Sequence, residues 1–384
     1  MAVLAVRRGL SIRASAEEFG LRRGTLEYWL RRAEGQRLDR VDWSNRPPIP
    51  LRAHRTAADM EDLIVAVRQE LSTSSALGFH GAEAIHHALQ ERGIGPLPSV
   101  RTIGRVLERR GVLDGQRRVR RPPPPRGWYL DDLGRQEADL DSFDVVEGMV
   151  IQGVGEVEVL NGVALHARLV GSWPVPRVTA RLTIQAIRSH WTAFGVPAYA
   201  QFDNDTRFQG AHQFPDAVGR VTRLCLALGV VPVFAIPGEH GFQASIEAYN
   251  GLWQSKVWSR FHHASLAALR KHSAAFVAAH RHRAAAQIEA GPPRRSVPAT
   301  WQLNLASPLH GRIIYLRRTT EHGSVDLLGH RFLVDPHWCH RMVRAEVHLD
   351  AGQIAFYGLR RSAPSSHPLL KVVSHVVPNR PLRE

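Results

Sequence analysis

The chain has 384 residues, of which 44% are hydrophobic, and it carries a formal net charge of +15. This length suits two to four domains, and this hydrophobic fraction supports packed cores and excludes a wholly disordered protein. No apolar run approaches the roughly 18 residues of a membrane-spanning helix, and the first residues lack the pattern of a secretory signal, so we expect a cytoplasmic protein that contacts no membrane. The two cysteines, Cys225 and Cys339, are far apart and predict neither a disulfide framework nor a cysteine zinc site.

The charge is distributed unevenly along the chain. Residues 1–127 hold 23 basic and 14 acidic side chains, and residues 271–384 hold 16 and 7. Between them, residues 128–270 hold 11 basic and 14 acidic side chains. Basic flanks are typical of proteins that bind a polyanion, because each neutralised phosphate releases counterions. An acidic middle supplies the carboxylate oxygens that hard metal ions require.

Residues 1–45 predict a helix-turn-helix domain. A short amphipathic helix ends at Gly20, and a second helix begins at Arg23 with apolar residues at helical spacing. Such a unit places its second helix in the major groove of double-stranded DNA. Helical packing without DNA is the alternative. The side chains expected to face phosphates are Arg22, Arg23, Arg31 and Arg32.

Residues 55–114 predict a second helical domain that follows a proline-rich linker at 46–50. Arg101 and Arg105 lie on its last predicted helix, which begins at Ser99, and this favours a second helix-turn-helix. A small all-α dimerisation unit fits the pattern equally well. Residues 115–127, GQRRVRRPPPPRG, predict a basic, semi-rigid linker that contacts phosphates.

Residues 128–270 predict an α/β core, and residues 305–378 predict a small SH3-like β-barrel. The core has the order three strands, helix, strand, helix, strand, helix. Its predicted elements lie at 143–151, 157–165, 169–175, 178–194, 198–202, 218–228, 230–236 and 242–261. The barrel is expected from four or five short strands that are separated by turns.

Three acidic residues lie where this topology would bring them together. Asp144 is in the first strand, Asp203 ends the fourth, and Glu247 is on the last helix. Such carboxylates can hold two Mg²⁺ or Mn²⁺ ions, which activate an attacking water or hydroxyl and stabilise the leaving oxygen of a phosphodiester. Asp141 is an alternative to Asp144, since strand alternation lets only one of the two face the site unless a bulge intervenes.

Two segments carry a resemblance to a known family. FDNDTRFQG at 202–210 resembles the Asp-Asn-Gly-x-x-Phe signature of retroviral integrases and insertion-sequence transposases. PGEHGFQASIEAYNGLWQ at 237–254 is similar to the segment of those families that contains the catalytic glutamate. The resemblance implies a ribonuclease-H-like core whose Asp144, Asp203 and Glu247 bind the metal ions and catalyse the reaction.

The resemblance also implies a function, which is nicking of DNA ends followed by strand transfer into target DNA. The partners would be DNA ends, target DNA and further copies of the chain in a synaptic complex, so the protein would be nucleoid-associated. Lys256, between Trp253 and Trp258, would contact the donor DNA ends. Two rival hypotheses are a nuclease that cuts without joining and a catalytically inactive DNA-binding regulator. Two departures from the family motivate the hypothesis of an inactive regulator. Asp205 stands where the family has glycine, and Ala164 stands where many relatives have aspartate.

Overall fold

The computed structural model describes residues 1–44, 56–113, 126–210, 214–239 and 241–379. The chain divides into two compact units, Met1–Ala57 and Ala58–Glu384. The predicted linker at 46–50 and residues 115–125 of the second linker lie outside the described residues. Within the described ranges, no helix is both long and apolar enough to span a membrane.

The first unit contains three helices around a small apolar core. They are α1 (Ala2–Arg7), α2 (Ile12–Glu18) and α3 (Arg23–Ala33). Ser11 begins α2, because its side-chain oxygen accepts a hydrogen bond from the Ala14 N–H at 3.1 Å. Gly20 adopts a φ of 63° after α2, a conformation that favours glycine at the end of a helix. The predicted pair of helices on either side of Gly20 is confirmed, and α1 precedes it.

The second unit begins with three further helices, α4 (Ala58–Ser74), α5 (Ala82–Glu91) and α6 (Val100–Arg109). Ser99 begins α6 by accepting a hydrogen bond from the Thr102 N–H at 3.2 Å, as its sequence position predicts. The helices share a core that includes Ile64, Leu89 and Ile103. They belong to the same compact unit as the rest of the chain up to its last described residue.

A mixed sheet forms the centre of the second unit. Its first strands are β1 (Leu140–Ile151), β2 (Gly155–Ala164), β3 (Val170–Val175), β4 (Tyr199–Phe202) and β5 (Val231–Phe234). β1 pairs antiparallel with β2 and parallel with β4, while β5 pairs parallel with β4. The helices around these strands are α7 (Asp131–Gly134), α8 (Ala180–Phe194), α9 (Thr206–Gln209), α10 (Arg220–Ala227) and α11 (Ala244–Trp253). The predicted α/β order is confirmed, with α7 and α9 added to it.

The chain continues beyond the predicted end of the core at residue 270. A π-helical turn, Gln254–Trp258, extends α11. The helices α12 (Leu266–Arg283) and α13 (Ala285–Glu289) follow. Residues of α11 and α12 form a buried cluster with β1 and β2 that includes Val146, Ile246 and Phe276. Phe143, on the other face of β1, packs with Trp191 of α8, so the sheet is buried on both faces.

The C-terminal strands do not form the predicted barrel. They are β6 (Arg312–Arg318), β7 (Ser324–Leu327), β8 (His330–Leu333), β9 (Met342–His348), β10 (Gln353–Leu359) and β11 (Leu369–Ser374). Four of them extend the central sheet, whose order is β11-β10-β9-β6-β5-β4-β1-β2-β3, and β7 pairs with β8 in a separate hairpin. No closed barrel forms among the described strands.

The C-terminal strands join the central sheet at the outer edge of β5. β6 pairs with that edge in parallel, with Val233 opposite Ile314. A row of aromatic side chains crosses four strands. The ring centroid of Phe202 lies 5.8 Å from that of Phe143 and 6.1 Å from that of Phe234. The ring centroids of Phe234 and Tyr315 are 5.0 Å apart. The apolar side chains of β6 therefore bury against the core instead of enclosing a core of their own.

Candidate functional site

Asp144 lies near the middle of the central strand β1. The parallel pairing of β1 with β4 matches Ser142 to Gln201, and Asp144 and Asp203 each lie two residues beyond this pair along the chain. One carboxylate oxygen of Asp144 accepts a hydrogen bond from the Val145 N–H at 2.9 Å. The other accepts one from the Asn250 side-chain amide at 2.7 Å. Each oxygen of the Asp144 carboxylate therefore has its own hydrogen-bond donor.

Asp203 follows Phe202, the last residue of β4, at the end of a strand that pairs in parallel with β1 and β5. Its carboxylate accepts a hydrogen bond from the Asp205 N–H at 3.0 Å. Burial raises the pKa of Asp203, and the charges of Asp205 and Glu147 add to this effect. Burial likewise raises the pKa of Asp144 to about 6, and the charges of Asp203 and Glu247 contribute to the rise. The charges of the other two predicted carboxylates therefore act on Asp144.

Glu247 is exposed on α11, one turn before Asn250, so the two side chains share a face of that helix. Because Asn250 donates to Asp144, this face is the one turned toward β1. Within the described ranges, the three predicted carboxylates do not have oxygens that all lie within 4.8 Å of one another. They form an open group of hard oxygen donors.

Asn250 is a residue that the sequence analysis did not single out. Its side-chain oxygen accepts a hydrogen bond from the amide of Asn161 at 2.9 Å, while its amide donates to Asp144. Asn161 is fully buried on β2, directly opposite Asp144 in the strand register. Asn250 lies three residues after Glu247, and this spacing indicates from the sequence that the two side chains share a face of the helix. Asn161 has no such signal, because its partners lie across the sheet.

Asp141, the alternative first carboxylate, lies in a different environment. Both of its oxygens accept hydrogen bonds from the Arg294 guanidinium, at 2.9 and 2.6 Å, and the Trp191 indole N–H donates at 2.8 Å. Its side chain is 1% exposed. Although burial opposes it, the charge of Arg294 lowers the pKa of Asp141. Asp141 is therefore engaged in a buried ion pair, apart from Asp203 and Glu247.

Asp205 stands at the position where the resembled family has glycine. It begins α9 by accepting a hydrogen bond from the Arg207 N–H at 2.7 Å, and it forms an ion pair with the Arg207 guanidinium at 2.5 Å. The same guanidinium contacts Glu147 at 2.7 Å and Glu158 at 3.5 Å. Hydrogen bonds from Arg207 to Asp205 raise the pKa of this arginine. The positive charge of Arg207 thus acts on Asp203 and offsets part of the rise that burial causes in the pKa of this carboxyl.

The four predicted DNA-facing arginines of the first unit differ in exposure. Arg22 and Arg31 are exposed, and Arg23 is exposed while forming an ion pair with Glu27 at 2.8 Å. The Arg32 side chain is only 10% exposed, because its guanidinium binds Asp42 at 2.7 Å and lies 5.1 Å from the Trp29 ring. Arg32 thus holds the segment after α3 against that helix, so a phosphate contact would require this ion pair to open.

Arg101 and Arg105 are exposed and lie four residues apart on α6, which places them on one face of the helix. Lys256 lies in the π-helical turn after α11, where its ammonium donates to the Gly78 carbonyl at 3.3 Å and lies 5.8 Å from the Phe79 ring. Lys256 therefore binds the segment between α4 and α5 through Gly78 and Phe79.

No family model matches the chain, and no curated protein matches it. Among solved structures, the chain is similar to one in the simian T-cell lymphotropic virus intasome bound to the PP2A regulatory subunit B56 gamma. The identity is 13% and the TM-score 0.32, over 68% of this chain and 87% of that one. The catalytic core domain of BIV integrase is 18% identical with a TM-score of 0.27, over 37% and 80%. The HTLV-2 integrase catalytic core domain in complex with magnesium is 14% identical with a TM-score of 0.27, over 35% and 81%. Likenesses of this size do not establish membership of a family.

Proposed function

We propose that the chain is a metal-dependent DNA-processing enzyme of the integrase or transposase type, a polynucleotidyl transferase with a ribonuclease-H-like core. Asp144, Asp203 and Glu247 would be its catalytic carboxylates. The observation that carries this proposal is that Asp144 is held largely buried on the central strand, where burial first, and then the charges of Asp203 and Glu247 from two other elements, raise its pKa. Repulsion of a buried carboxylate by other carboxylates costs stability in a purely structural site, and it is typical of carboxylates that share a cation.

The donor set fits a hard divalent cation. All three side chains offer carboxylate oxygens, which are the ligands that Mg²⁺ prefers. Asp144, Asp203 and Glu247 would hold two Mg²⁺ or Mn²⁺ ions. When bound, these ions would supply activation of an attacking water or 3′-hydroxyl and stabilisation of the leaving oxygen of a phosphodiester.

The chain's own residues would orient the carboxylates for this task. Asn250 and the Val145 N–H each hold one oxygen of Asp144, and the Asp205 N–H holds one oxygen of Asp203. Arg207 is bound by Asp205 and Glu147, so its guanidinium is held by these acidic neighbours beside the site. Donors of this kind fix ligand orientation and determine how tightly a metal ion is bound. No covalent protein nucleophile takes part.

Double-stranded DNA is the proposed partner, both as element ends and as target. The exposed Arg22, Arg23 and Arg31 of the first unit, and Arg101 and Arg105 of α6, are the proposed phosphate contacts. Two ends must be held together for joining, so we propose a homo-oligomeric synaptic complex at the nucleoid.

Two measurements on the full chain test the proposal. Calorimetry with Mg²⁺ should show binding to the wild type and a loss of at least tenfold in affinity in Asp144→Asn, Asp203→Asn and Glu247→Gln, but not in Asp141→Asn. Nicking of supercoiled plasmid DNA should require Mg²⁺ or Mn²⁺ and should disappear in Asp203→Asn. Retention of nicking by Asp203→Asn, with the fold intact by circular dichroism, would refute the proposed site.

The strongest competing function is a DNA-binding regulator without catalysis. The open arrangement of the three carboxylates and the arginine beside Asp203 favour it. A wild-type chain that binds duplex DNA but neither binds Mg²⁺ nor nicks DNA would establish this alternative. A chain that nicks DNA but never joins a labelled 3′ end to a second duplex would instead be a nuclease.

A further inference from the structure

A second group of metal-ligand side chains lies apart from the three carboxylates. Asp216 is in the connection between α9 and α10, His330 begins β8, and His375 follows β11. One oxygen of Asp216 lies 3.2 Å from His330 Nε2, and the other lies 2.8 Å from His375 Nε2. One ligand atom from each residue can be chosen so that all three lie within 4.8 Å of one another. Within the described residues this is the one group of three or more such side chains that meets this distance.

Backbone contacts hold each of the three segments in place. Asp216 adopts a φ of 60°, and its N–H donates to the Leu328 carbonyl at 2.9 Å. Gly329, in the turn before His330, lies so close to Pro215 that an added Cβ would come within 2.9 Å of the proline backbone. The His375 N–H donates to the Gly352 carbonyl at 2.8 Å. The three side chains thus meet because the fold brings their backbones together.

We propose that Asp216, His330 and His375 bind a divalent transition-metal ion of the Zn²⁺ class. Two imidazole nitrogens and one carboxylate oxygen are the donors that such ions prefer, whereas Mg²⁺ favours oxygen alone. Ligands bound to tetrahedral zinc at about 2.0–2.1 Å are spaced by about 3.3 Å. The observed separations of 3.2 and 2.8 Å are close to that spacing, and each involves a different oxygen of Asp216. Because one ligand atom from each residue lies within 4.8 Å of the other two, an ion would be bound once the side chains move to share it.

The exposure of the group leaves room for a fourth ligand. The side chains of Asp216 and His375 are 11% and 15% exposed, while that of His330 is 40% exposed. Water can therefore approach from the side of His330 and complete a four-coordinate site. The simplest competing explanation is a metal-free network, in which both imidazoles donate hydrogen bonds to the carboxylate.

A metal ion at this position would fasten three distant parts of the chain. Asp216 belongs to the connection that follows Asp203 and α9, His330 to the β7–β8 hairpin, and His375 to the end of the outermost strand. Because an unfolded chain does not hold these ligands together, the binding free energy would add to the stability of the folded state.

The test uses the full chain after removal of metal by a chelator. Calorimetry with Zn²⁺ should show one equivalent bound per chain, and bound Co²⁺ should give the visible absorption of a tetrahedral site with nitrogen ligands. Both signals should be lost in His330→Ala and in His375→Ala, and Zn²⁺ should raise the melting temperature of the wild type but not of these variants. His322→Ala is the matched control, since His322 is an exposed histidine in the same region.

Two outcomes would overturn the proposal. If the wild type binds no more Zn²⁺ than the His330→Ala/His375→Ala double variant, the three residues form the metal-free network. If His322→Ala loses binding equally, the ion is held elsewhere. The same measurement in Asp203→Asn, which keeps all three ligands, should still show the Zn²⁺ site. Failure of the proposed DNA-processing function is therefore distinguishable from failure of this site.

Discussion

Asp141 and Asp144 show how far the environments of two carboxylates on one strand can diverge. Asp141 faces Arg294 and Trp191, and its negative charge is compensated within the protein. Asp144 faces Asp203 and Glu247, and its charge is not compensated by any cation in the described structure. Their separation of three positions places them on opposite faces of β1. One residue therefore contributes to the fold, and the other is available for a ligand.

Replacing Asp141 by Asn should destabilise the protein. The change leaves the guanidinium of Arg294, 10% exposed, without its bidentate partner. Removing one member of a buried ion pair costs about 3–5 kcal/mol of unfolding free energy. Urea denaturation should show this loss, and Mg²⁺ affinity should be unchanged. The control is Asp326→Asn, which breaks an exposed ion pair with Arg331 and should cost about 1 kcal/mol or less. Equal stability of the two variants would contradict the assignment of Asp141.

The raised pKa of Asp144 predicts a pH-dependent stability. Its folded pKa of about 6 lies above the ordinary value of 3.8. The stability contributed by protonated Asp144 is therefore fully present below about pH 4 and is lost as the pH rises through about 6. Asp144→Asn, which stays neutral, should gain on the order of 1–2 kcal/mol over the wild type between pH 4 and 7.5. Urea denaturation at both pH values with a chelator present measures this, and a pH-independent difference would contradict it.

Asn250 should act as a positioning residue for Asp144. Its hydrogen bond lowers the pKa of that carboxyl, so Asn250→Ala should raise it further. We expect Mg²⁺ affinity to fall by about tenfold and its pH midpoint to move upward. The control is Ala substitution of Gln254, an exposed residue four positions later, where the π-helical turn begins. Weaker binding with an unchanged pH midpoint would indicate a merely structural role.

The sequence was informative about single residues where the signal is local. The predicted topology, together with the resemblance of the segments at 202–210 and 237–254 to a known family, selected Asp144, Asp203 and Glu247 as candidates, while strand alternation left Asp141 as the alternative to Asp144. The partner of Asp141 lies 153 positions away, so no local pattern could reveal that ion pair. The same limit applies to Asp216 and His375, which are 159 positions apart.

At the level of elements, the apolar patterns located the strands but not their partners. A closed barrel and an extension of a sheet both require strands with alternating apolar residues, so the pattern is the same for both. What decided the outcome was the outer edge of β5, which β6 pairs with in parallel. α12 was not predicted, because its Ala-, His- and Arg-rich sequence has weak periodicity and its burial arises from packing against the sheet.

Truncation of the chain tests whether the C-terminal strands are part of the central sheet or fold as an independent barrel. A chain of residues 58–304 lacks Ile313, Tyr315 and Val343, which are fully or almost fully buried in the same core as Phe143. We therefore expect it to lack a cooperative thermal transition, whereas residues 58–384 should retain the melting temperature of the corresponding transition in the full chain. Circular dichroism during heating measures both. A stable, cooperative 58–304 fragment would mean that the C-terminal strands are an independent addition.

At the level of the whole molecule, the two units differ in charge and in the candidate residues that they carry. Residues 1–57 hold 12 basic and 6 acidic side chains, while the candidate carboxylates belong to the second unit. We propose that the first unit supplies affinity for DNA through phosphate contacts, which are sensitive to salt.

The salt dependence of DNA binding tests this division. Arg22→Ala, Arg23→Ala and Arg31→Ala should each weaken binding and reduce the slope of log affinity against log salt by about 1. Arg32→Ala should act chiefly by lowering the stability of the first unit, because its guanidinium binds Asp42. Fluorescence anisotropy with a labelled duplex over a range of NaCl concentrations measures the slopes. Unchanged slopes in all three exposed variants would place the phosphate contacts elsewhere.

The parallel pairing of β5 with β6 also has a consequence for synthesis on the ribosome. β5 leaves the ribosome well before β6, since four helical segments separate the two strands. Until β6 arrives, the outer edge of β5 presents unpaired N–H and C=O groups and apolar side chains, which invite pairing with another nascent chain. β1, which carries Asp144, and β4, which Asp203 follows, are thus made early but gain their full support late. A chain stalled before β6 would be a substrate for chaperones and proteases, and its carboxylates would lack the finished sheet.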